Sequence, residues 1–178
     1  MEPLFAAAPG FDQPLAVLKH CHDRIRKQLA TLEKLPIHLA QFGADQQAQQ
    51  AATAVLRYFE QAAPLHHEDE EINLLPMLQE TAQAEDQALL TQLLPTILQQ
   101  HQRMAELWGQ LKMRLEELAQ GNTPLLPTSE LVEFQSLYQE HMQIEETQIA
   151  PMAARILSPA QFTEIGQAMQ LRRGITTP

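Results

Sequence analysis

The sequence predicts an all-α protein, an antiparallel up-and-down four-helix bundle with a short extra helix at the C-terminus. Its 178 residues are 44% hydrophobic and only 5% aromatic, and runs of β-branched residues are scarce, so a β-sheet has little to build from. Prolines and glycines divide the chain into four long helical stretches with mostly short connections, which favours antiparallel neighbours. A chain of this length is expected to form one domain over residues 1–178.

The first predicted helix begins at Asp12, with Pro14 in its first turn, and ends just before Pro36. A proline inside a helix removes a hydrogen bond and clashes with the preceding turn, so an interruption is expected there. A short helical turn over residues 37–42 should follow, and Gly43 should end it.

The second and third helices each contain a proline. Asp45 is expected to cap the second helix, which runs to about Glu80 with a kink or an irregular turn at Pro64. The third helix spans about residues 85–120 and ends at Gly121.

The last two helices begin at polar capping residues. Thr128 or Ser129 is expected to cap the fourth helix, which completes a bundle of about residues 12–156. Ser158 then starts the short C-terminal helix of about residues 158–173.

The composition excludes several classes of partner. A net charge of −10 disfavours binding to nucleic acid or to an anionic membrane surface, and no apolar stretch approaches the ~20 residues that span a bilayer. Residues 1–11 lack the basic and apolar regions of a signal peptide. Cys21 is the only cysteine, so no intramolecular disulfide is expected. The sequence therefore predicts a cytoplasmic protein.

Three histidines lie in the middle of apolar helical faces. At ~100° per residue, His22, His101 and His141 each fall among the apolar residues of their own helix, whereas His20 falls on the opposite, solvated face. A single buried histidine is most often a packing residue, so the case for ligands rests on how the histidines combine.

The second helix offers two overlapping His-x-x-x-Glu pairs, a spacing that lets an imidazole and a carboxylate reach one ion from adjacent turns. Its apolar stripe passes through His66 and Glu70, which makes them the candidates. The residues beside them are predicted to form a solvated acidic face: His67, Glu68, Asp69 and Glu71. In an alternative role, Glu71 or Glu146 would accept a hydrogen bond from a ligand histidine.

The second and fourth helices repeat one another. A shift of 75 positions superposes residues 59–77 on residues 134–152 and aligns two His-x-x-x-Glu pairs, a phenylalanine, a proline and a methionine. His22 and His101, 79 positions apart, lie on the preceding helices. Two such helix pairs, related by a pseudo-twofold axis, would bring four imidazoles and two carboxylates to one centre. The six candidate ligands are His22, His66, Glu70, His101, His141 and Glu145.

Such a centre predicts two metal ions. Buried carboxylates without a partner cost several kcal/mol each, and cations bridged by them remove that cost. Mixed imidazole and carboxylate ligands suit iron, with manganese or zinc as substitutes, whereas six ligands are too many for a closed tetrahedral zinc site. A ferritin-like site is disfavoured because its Glu-x-x-His motif places the glutamate first.

Four blocks of the sequence, at residues 22–29, 66–76, 101–108 and 141–151, resemble the ligand blocks of the hemerythrin-like, HHE cation-binding family. The resemblance covers roughly residues 15–152 and implies a left-twisted antiparallel bundle around a non-haem di-iron centre with an oxo or hydroxo bridge. It also implies that Glu70 and Glu145 bridge the irons, and that the histidines hold them in pairs, His22 with His66 and His101 with His141.

The chain departs from the oxygen-carrying members of that family. The position of their second third-helix histidine is Ala105 here, and Glu145 replaces their fourth-helix aspartate at a shorter spacing. The chain thus resembles the four-histidine branch, which includes iron-centre repair proteins and iron-responsive regulatory modules. Both irons would then keep an open position, which favours reaction with O₂, peroxide or nitric oxide over reversible oxygen carriage.

Three functions follow as hypotheses. The first is a redox or gas-handling di-iron protein whose ligand is a diatomic molecule or a peroxide. The second is an iron- or oxygen-sensing regulatory or adaptor module without turnover, and the third is a metal-free helical adaptor. The sequence identifies no electron donor or protein partner and leaves open whether the protein is an enzyme. Cys21 is interpreted as a packing residue, and Tyr138 as a core residue with donation to a bridging oxygen as its alternative role.

Overall fold

The computed structural model describes residues 8–175, and each regular element among them is helical. The N-terminal segment that lacks signal-peptide features lies mostly outside the described residues. The α-helices are α1 (Pro14–Phe42), α2 (Gln46–Glu68), α3 (Leu75–Thr81), α4 (Ala84–Ala119), α5 (Thr128–Ile144), α6 (Ala150–Ile156) and α7 (Pro159–Arg172). Two π-helical segments, π1 (Asp69–Leu74) and π2 (Glu145–Ile149), join α2 to α3 and α5 to α6.

Four long rods form the bundle. They are α1, the continuous run α2–π1–α3, α4, and the continuous run α5–π2–α6. Helix α2 packs on α1 and α4, α4 packs on α5, and α5 returns to α1, so the contacts form a closed ring. Helix α7 lies outside the ring against π1 and α1. The predicted four-helix bundle with an extra C-terminal helix is confirmed.

Two apolar clusters fill the core at opposite ends of the bundle. The larger cluster takes residues of α1, α2, α4 and α5, including Leu32, Phe59 and Phe134. The smaller cluster takes residues of α1, α3, α4, α6 and α7, including Leu78 and Met169. Buried polar side chains occupy the level between them, and that level holds the candidate site.

Helix α1 continues through Pro36, so the predicted interruption is wrong. Leu32 and Leu35 before the proline and Leu39 after it are all buried in the larger cluster. Their packing outweighs the hydrogen bond that the proline removes. The helix ends, as predicted, at Gly43, whose φ of 65° is accessible to glycine without strain.

The irregular turn in the second rod comes after Pro64 rather than at it. Helix α2 runs through this proline, and the departure from α-geometry occurs in π1 and again in π2. The amide of Leu75 donates to the carbonyl of Glu70, and the amide of Ala150 donates to the carbonyl of Glu145, both over five residues. The 75-residue repeat thus extends to backbone geometry.

Helix starts follow the prediction in two cases and depart from it in two. The side chain of Asp45 accepts from an amide of α2, and Ser158 forms a capping box at α7. Asp12 does not cap α1, which starts after Gln13 with no side-chain cap. Neither Thr128 nor Ser129 caps α5, whose preceding residue is a proline and offers no side-chain acceptor.

Candidate metal centre

The structure brings the six sequence-predicted candidates together in the polar level between the two apolar clusters. Each is buried, with at most 5% of its surface exposed. They come from all four rods: His22 from α1, His66 and Glu70 from α2–π1, His101 from α4, and His141 and Glu145 from α5–π2.

The six candidates form two overlapping groups, in each of which the ligand atoms lie within 4.8 Å of one another, and His67 forms a third such group with His101 and His141. One group is His22, His66, Glu70 and Glu145, and the other is Glu70, His101, His141 and Glu145. Both glutamates belong to both groups. The arrangement offers two adjacent cation positions, each with two imidazoles, and both carboxylates placed between them.

Every histidine of the six turns its Nε2 atom toward one of the two carboxylates. The four Nε2-to-oxygen distances are 3.0 Å for His22 to Glu145, 3.2 Å for His66 to Glu70, 3.3 Å for His141 to Glu145 and 3.5 Å for His101 to Glu70. The other ring nitrogen, Nδ1, faces away from the centre.

Two glutamates hold the outer nitrogens of histidines across the bundle. Nδ1–H of His22 donates to Glu146 at 2.9 Å, and Nδ1–H of His101 donates to Glu71 at 2.6 Å. A carboxylate only accepts, so the ring hydrogen is assigned to Nδ1 and the Nε2 lone pair points to the centre. This is the arrangement in which histidine binds a metal. Of the two roles considered for Glu71 and Glu146, the acceptor role is the one observed.

The rings of His101 and His141 meet at the centre through their inner nitrogens. Nδ1 of His141 lies 3.2 Å from the amide oxygen of Gln100. The Nε2 atoms of His101 and His141 lie 3.1 Å apart, so both inner nitrogens face the space in which a cation would bind.

Several buried polar atoms of the centre have no hydrogen-bond partner within the described part of the chain. They are Nε2 of His22, both nitrogens of His66, Oε2 of Glu70 and both carboxylate oxygens of Glu145. Leaving such atoms unsatisfied costs ~1–3 kcal/mol each, and more for charged groups. Together with the imidazole and carboxylate chemistry, these atoms fit metal ions, iron among them.

The electrostatics of the centre distinguish its two glutamates and keep two of its rings neutral. Burial, with the charge of Glu145 added, raises the pKa of Glu70 well above its usual value. Burial opposes ionisation of Glu145 too, but His141 and His22 hold its pKa well below the usual range. Burial lowers the pKa of His66 and of His101, which keeps both rings neutral.

Each π-segment positions two glutamates, and the two have different roles. Glu70 and Glu145 point into the centre, while their successors Glu71 and Glu146 reach the outer nitrogen of a histidine on a neighbouring rod. The helical-wheel reasoning assumed α-geometry and missed both π-turns. The available signal was the pair of prolines, one six residues after each inward glutamate, that the repeat aligns.

His67 is not part of a solvated face, contrary to the prediction. Its ring lies parallel to that of His101, with the centroids 4.0 Å apart, and its Nε2 is buried without a partner. Ala105 borders the same small cavity, of about 140 Å³, as His67. The short side chain of Ala105 leaves room beside His101, and the ring of His67 occupies part of that space.

Asp69 is also buried, so the predicted acidic face is wrong at two of its four positions. Arg172 and Arg173, at the end of α7, both pair with Asp69, whose own surface is completely covered. The side chains of Glu68 and Glu71 remain about half exposed. The sequence reasoning considered one helix at a time and could not foresee that α7 covers this face.

The remaining single-residue expectations agree with the structure. Tyr138 is buried beside Phe59 in the larger apolar cluster. Cys21 is partly buried, its carbonyl accepts a hydrogen bond from Tyr58, and it belongs to neither metal-ligating group of the six candidates. His20 is exposed.

A cavity of about 320 Å³ reaches the centre at His22. Its lining includes His22, Glu70 and Glu145, but not His101 or His141. The small cavity beside His67 is lined by none of the six candidates. A larger groove of about 830 Å³ between α1 and α2 is lined by none of them either.

The comparisons with known proteins agree with this centre. The family model of the hemerythrin HHE cation binding domain matches residues 13–153. The chain belongs to this family. The hemerythrin HHE match includes all six candidate ligands. A protein of uncharacterised function from Haemophilus influenzae is 30% identical over 165 residues, which cover 93% of this chain and 92% of that protein. Among the described residues, no helix is long and apolar enough to cross a membrane.

Proposed function

We propose that the protein binds two iron ions and handles O₂, peroxide or nitric oxide at them. Glu70 and Glu145 would be shared by both ions, and an oxo or hydroxo group would complete the centre. One ion takes its imidazoles from His22 and His66, the other from His101 and His141. Manganese and zinc are substitutes for the same donor set.

The observation that carries the proposal is the pair of overlapping four-residue groups that share both glutamates. A site for one ion does not require six buried ligand-type residues. The outward hydrogen bonds of His22 and His101 add to this, because they orient the lone pairs of both rings toward the shared carboxylates.

The chemistry supplied by the bound metals is electron transfer to, or binding of, a small oxidant or gas. The chain itself orients the imidazoles through Glu71, Gln100 and Glu146. Its two apolar clusters exclude water from above and below the centre. Arg26 and Lys19 pair with Glu146, at 2.8 and 3.1 Å, and with His22 they hold its pKa at about 2, against the opposing effect of burial.

Metal content tests the site. Protein produced in iron-replete medium should contain two irons per chain by elemental analysis. His141→Ala should lower that number, whereas His20→Ala, at an exposed histidine of α1, should leave it unchanged. One iron or none in the parent protein would contradict the two-ion centre, and none would favour the metal-free adaptor.

Rapid mixing tests the reactivity. The reduced protein, mixed separately with O₂, hydrogen peroxide and nitric oxide, should be oxidised or should bind nitric oxide irreversibly on the time scale of the experiment. A stable oxygenated spectrum that disappears when O₂ is removed would instead establish an oxygen carrier.

A sensor module without turnover is the second candidate. The ion pairs between Asp69 and the end of α7 favour it. Asp69 immediately precedes the proposed ligand Glu70, and α7 holds it through Arg172 and Arg173. Binding of metal at Glu70 would therefore change how tightly α7 packs against π1. Amide hydrogen exchange in α7 that slows on iron loading, in a protein with no turnover of the three ligands, would support the sensor over the reactive protein.

A further inference from the structure

The cavity beside the centre is mostly apolar. Its walls come from α1 and from the two rods that carry the π-segments: Leu15, Leu18, Leu74, Ile149 and Ala150. At its floor lie the unpartnered Nε2 of His22 and the unpartnered oxygens of Glu70 and Glu145. The cavity therefore joins an apolar chamber to one of the two proposed cation positions.

The chamber is far larger than a diatomic ligand requires. An apolar cavity of ~150 Å³ accommodates benzene, and a water molecule occupies ~30 Å³ in the liquid. The volume of about 320 Å³ leaves space for a benzene-sized group even when water-sized ligands sit on the floor. The size is at the lower end of the range for organic ligand sites.

The entrance does not attract anions. Lys19 at the rim is already paired with Asp23 at 2.9 Å and with Glu146 at 3.1 Å. Glu146 itself lines the cavity. A neutral molecule with one polar oxygen end and an apolar body matches these surroundings better than a carboxylate does.

We propose that the substrate held in this cavity is an organic hydroperoxide, with its apolar group against Leu18 and Ile149 and its peroxide end at His22 and the two glutamates. This rests on the proposed di-iron function. In one turnover the O–O bond breaks, two protons are taken up, and an alcohol and water leave. The two electrons come from two ferrous ions of the pre-reduced protein, which become ferric.

Stopped-flow oxidation of the diferrous protein by cumene hydroperoxide and by hydrogen peroxide tests the proposal. The parent rate constants should agree within tenfold. Ala150→Leu, which narrows the chamber, should lower the ratio of the cumene to the hydrogen peroxide rate constant at least tenfold. The matched control is Ala54→Leu on α2, at the exposed groove that none of the six candidates lines, and its ratio should stay within twofold of the parent ratio.

Xenon binding, followed by ¹²⁹Xe NMR on the zinc-loaded protein, gives a readout independent of turnover. The chamber signal should be lost in Ala150→Leu and kept in Ala54→Leu. If Ala150→Leu loses metal, Leu15→Phe at the chamber wall replaces it in both measurements. A parent protein that holds two irons but reacts more than tenfold faster with hydrogen peroxide than with cumene hydroperoxide, or a ratio unchanged by the narrowing variants, overturns the hydroperoxide proposal alone. A parent protein without two irons overturns the proposed function as well.

Discussion

At the scale of single residues, the two glutamates of each Glu-Glu pair in the repeat have different roles. The first faces the centre, and the second contacts a histidine on a neighbouring rod. Glu70 and Glu145 face the cation positions, and Glu71 and Glu146 accept hydrogen bonds from His101 and His22. A rotating imidazole would present either nitrogen to an ion. The outer carboxylates remove that freedom before metal arrives, so less ordering is needed on binding.

Glu71→Ala should weaken metal binding by ~10–100-fold, the usual effect of losing an outer partner of a ligand histidine. The reason is that the His101 ring loses its acceptor at 2.6 Å and with it a fixed orientation. Competition with a chromophoric chelator measures the affinity. Glu133→Ala, at an exposed glutamate paired with Arg103, is the control. Equal affinities for the two variants would show that the Glu71 contact does not orient the ligand.

The sequence correctly predicts the burial of residues whose position is fixed by the apolar face of their own helix. His66 and Glu70 could be chosen over their neighbours because an apolar stripe and an internal repeat agreed. The prediction failed at His67 and Asp69, whose burial depends on the packing of α4 and α7 against a face that looked polar. Which rod covers a given face is a property of the tertiary structure.

At the scale of elements, α7 is attached to the bundle by the apolar packing of Ile165 and Met169 and by charged contacts at its end. Asp69 lies within π1 and is completely buried, and both arginines that pair with it come from the end of α7. Arg172 also donates to Asn73 at 2.7 Å, and Arg173 donates to the Met169 carbonyl at 3.0 Å. A π-turn with a charged residue inside it is thus held from outside the ring of four rods.

Asp69→Asn should destabilise the protein by about 3 kcal/mol, because it leaves two arginines without their buried counter-charge. Asp86→Asn provides the matched control. It breaks the surface pair with Arg155, whose side chain is 61% exposed, and should destabilise the protein clearly less than Asp69→Asn does. Urea unfolding with the same excess of metal compares them. Equal losses would mean that the pairing of Asp69 contributes no more than an ordinary surface salt bridge.

Helix α7 also touches the segment before α1. A Cβ atom at Gly166 would lie against the carbonyl oxygen of Phe11, closer than nonbonded atoms approach. Gly166→Ala should therefore cost ~1–3 kcal/mol through overpacking. Gly109→Ala in α4, where a Cβ meets nothing within 4 Å, should instead stabilise by ~0.5–1 kcal/mol. Thermal unfolding shows whether each variant is stabilised or destabilised. If both Gly166→Ala and Gly109→Ala are stabilised, Phe11 does not lie against α7 in solution.

Helix boundaries show a similar limit of local reasoning. Pro36 lies inside α1 because three buried leucines around it keep the helix in the core. The π-turns do not lie at Pro64, and they recur at the repeat distance, each just before the proline that the repeat aligns. Gly43, Asp45 and Ser158, by contrast, act through their own backbone or side-chain chemistry, and their roles were predictable.

At the scale of the whole molecule, the polar centre separates two apolar clusters that would otherwise form one core. Its unsatisfied atoms weaken the metal-free fold at the level where all four rods meet. Bound metal should therefore raise the melting temperature well beyond the effect of a surface ion. Circular dichroism melts before and after chelation, and after restoring iron or zinc, measure this. Identical melts would contradict a centre that links the rods.

The four-rod architecture was predictable because its evidence is spread over the chain: helical periodicity, short connections and an internal repeat. The cavity beside His22 was not predictable. Its position depends on how α1 and the two π-containing rods pack around His22, and on the ring of His67 lying over His101. The symmetry visible in the sequence is broken by these packing details.

The opposite pKa shifts of Glu70 and Glu145 have a consequence for metal uptake. The metal-free pair retains about one proton, because burial and the neighbouring charge prevent both carboxyls from ionising. Binding of cations between the two carboxyls should displace that proton, so loading should release about one proton beyond those released when water forms a hydroxo or oxo bridge. Calorimetry with zinc in buffers of different ionisation enthalpy counts the released protons. Metal uptake without proton release would show that both carboxyls are ionised before metal binds.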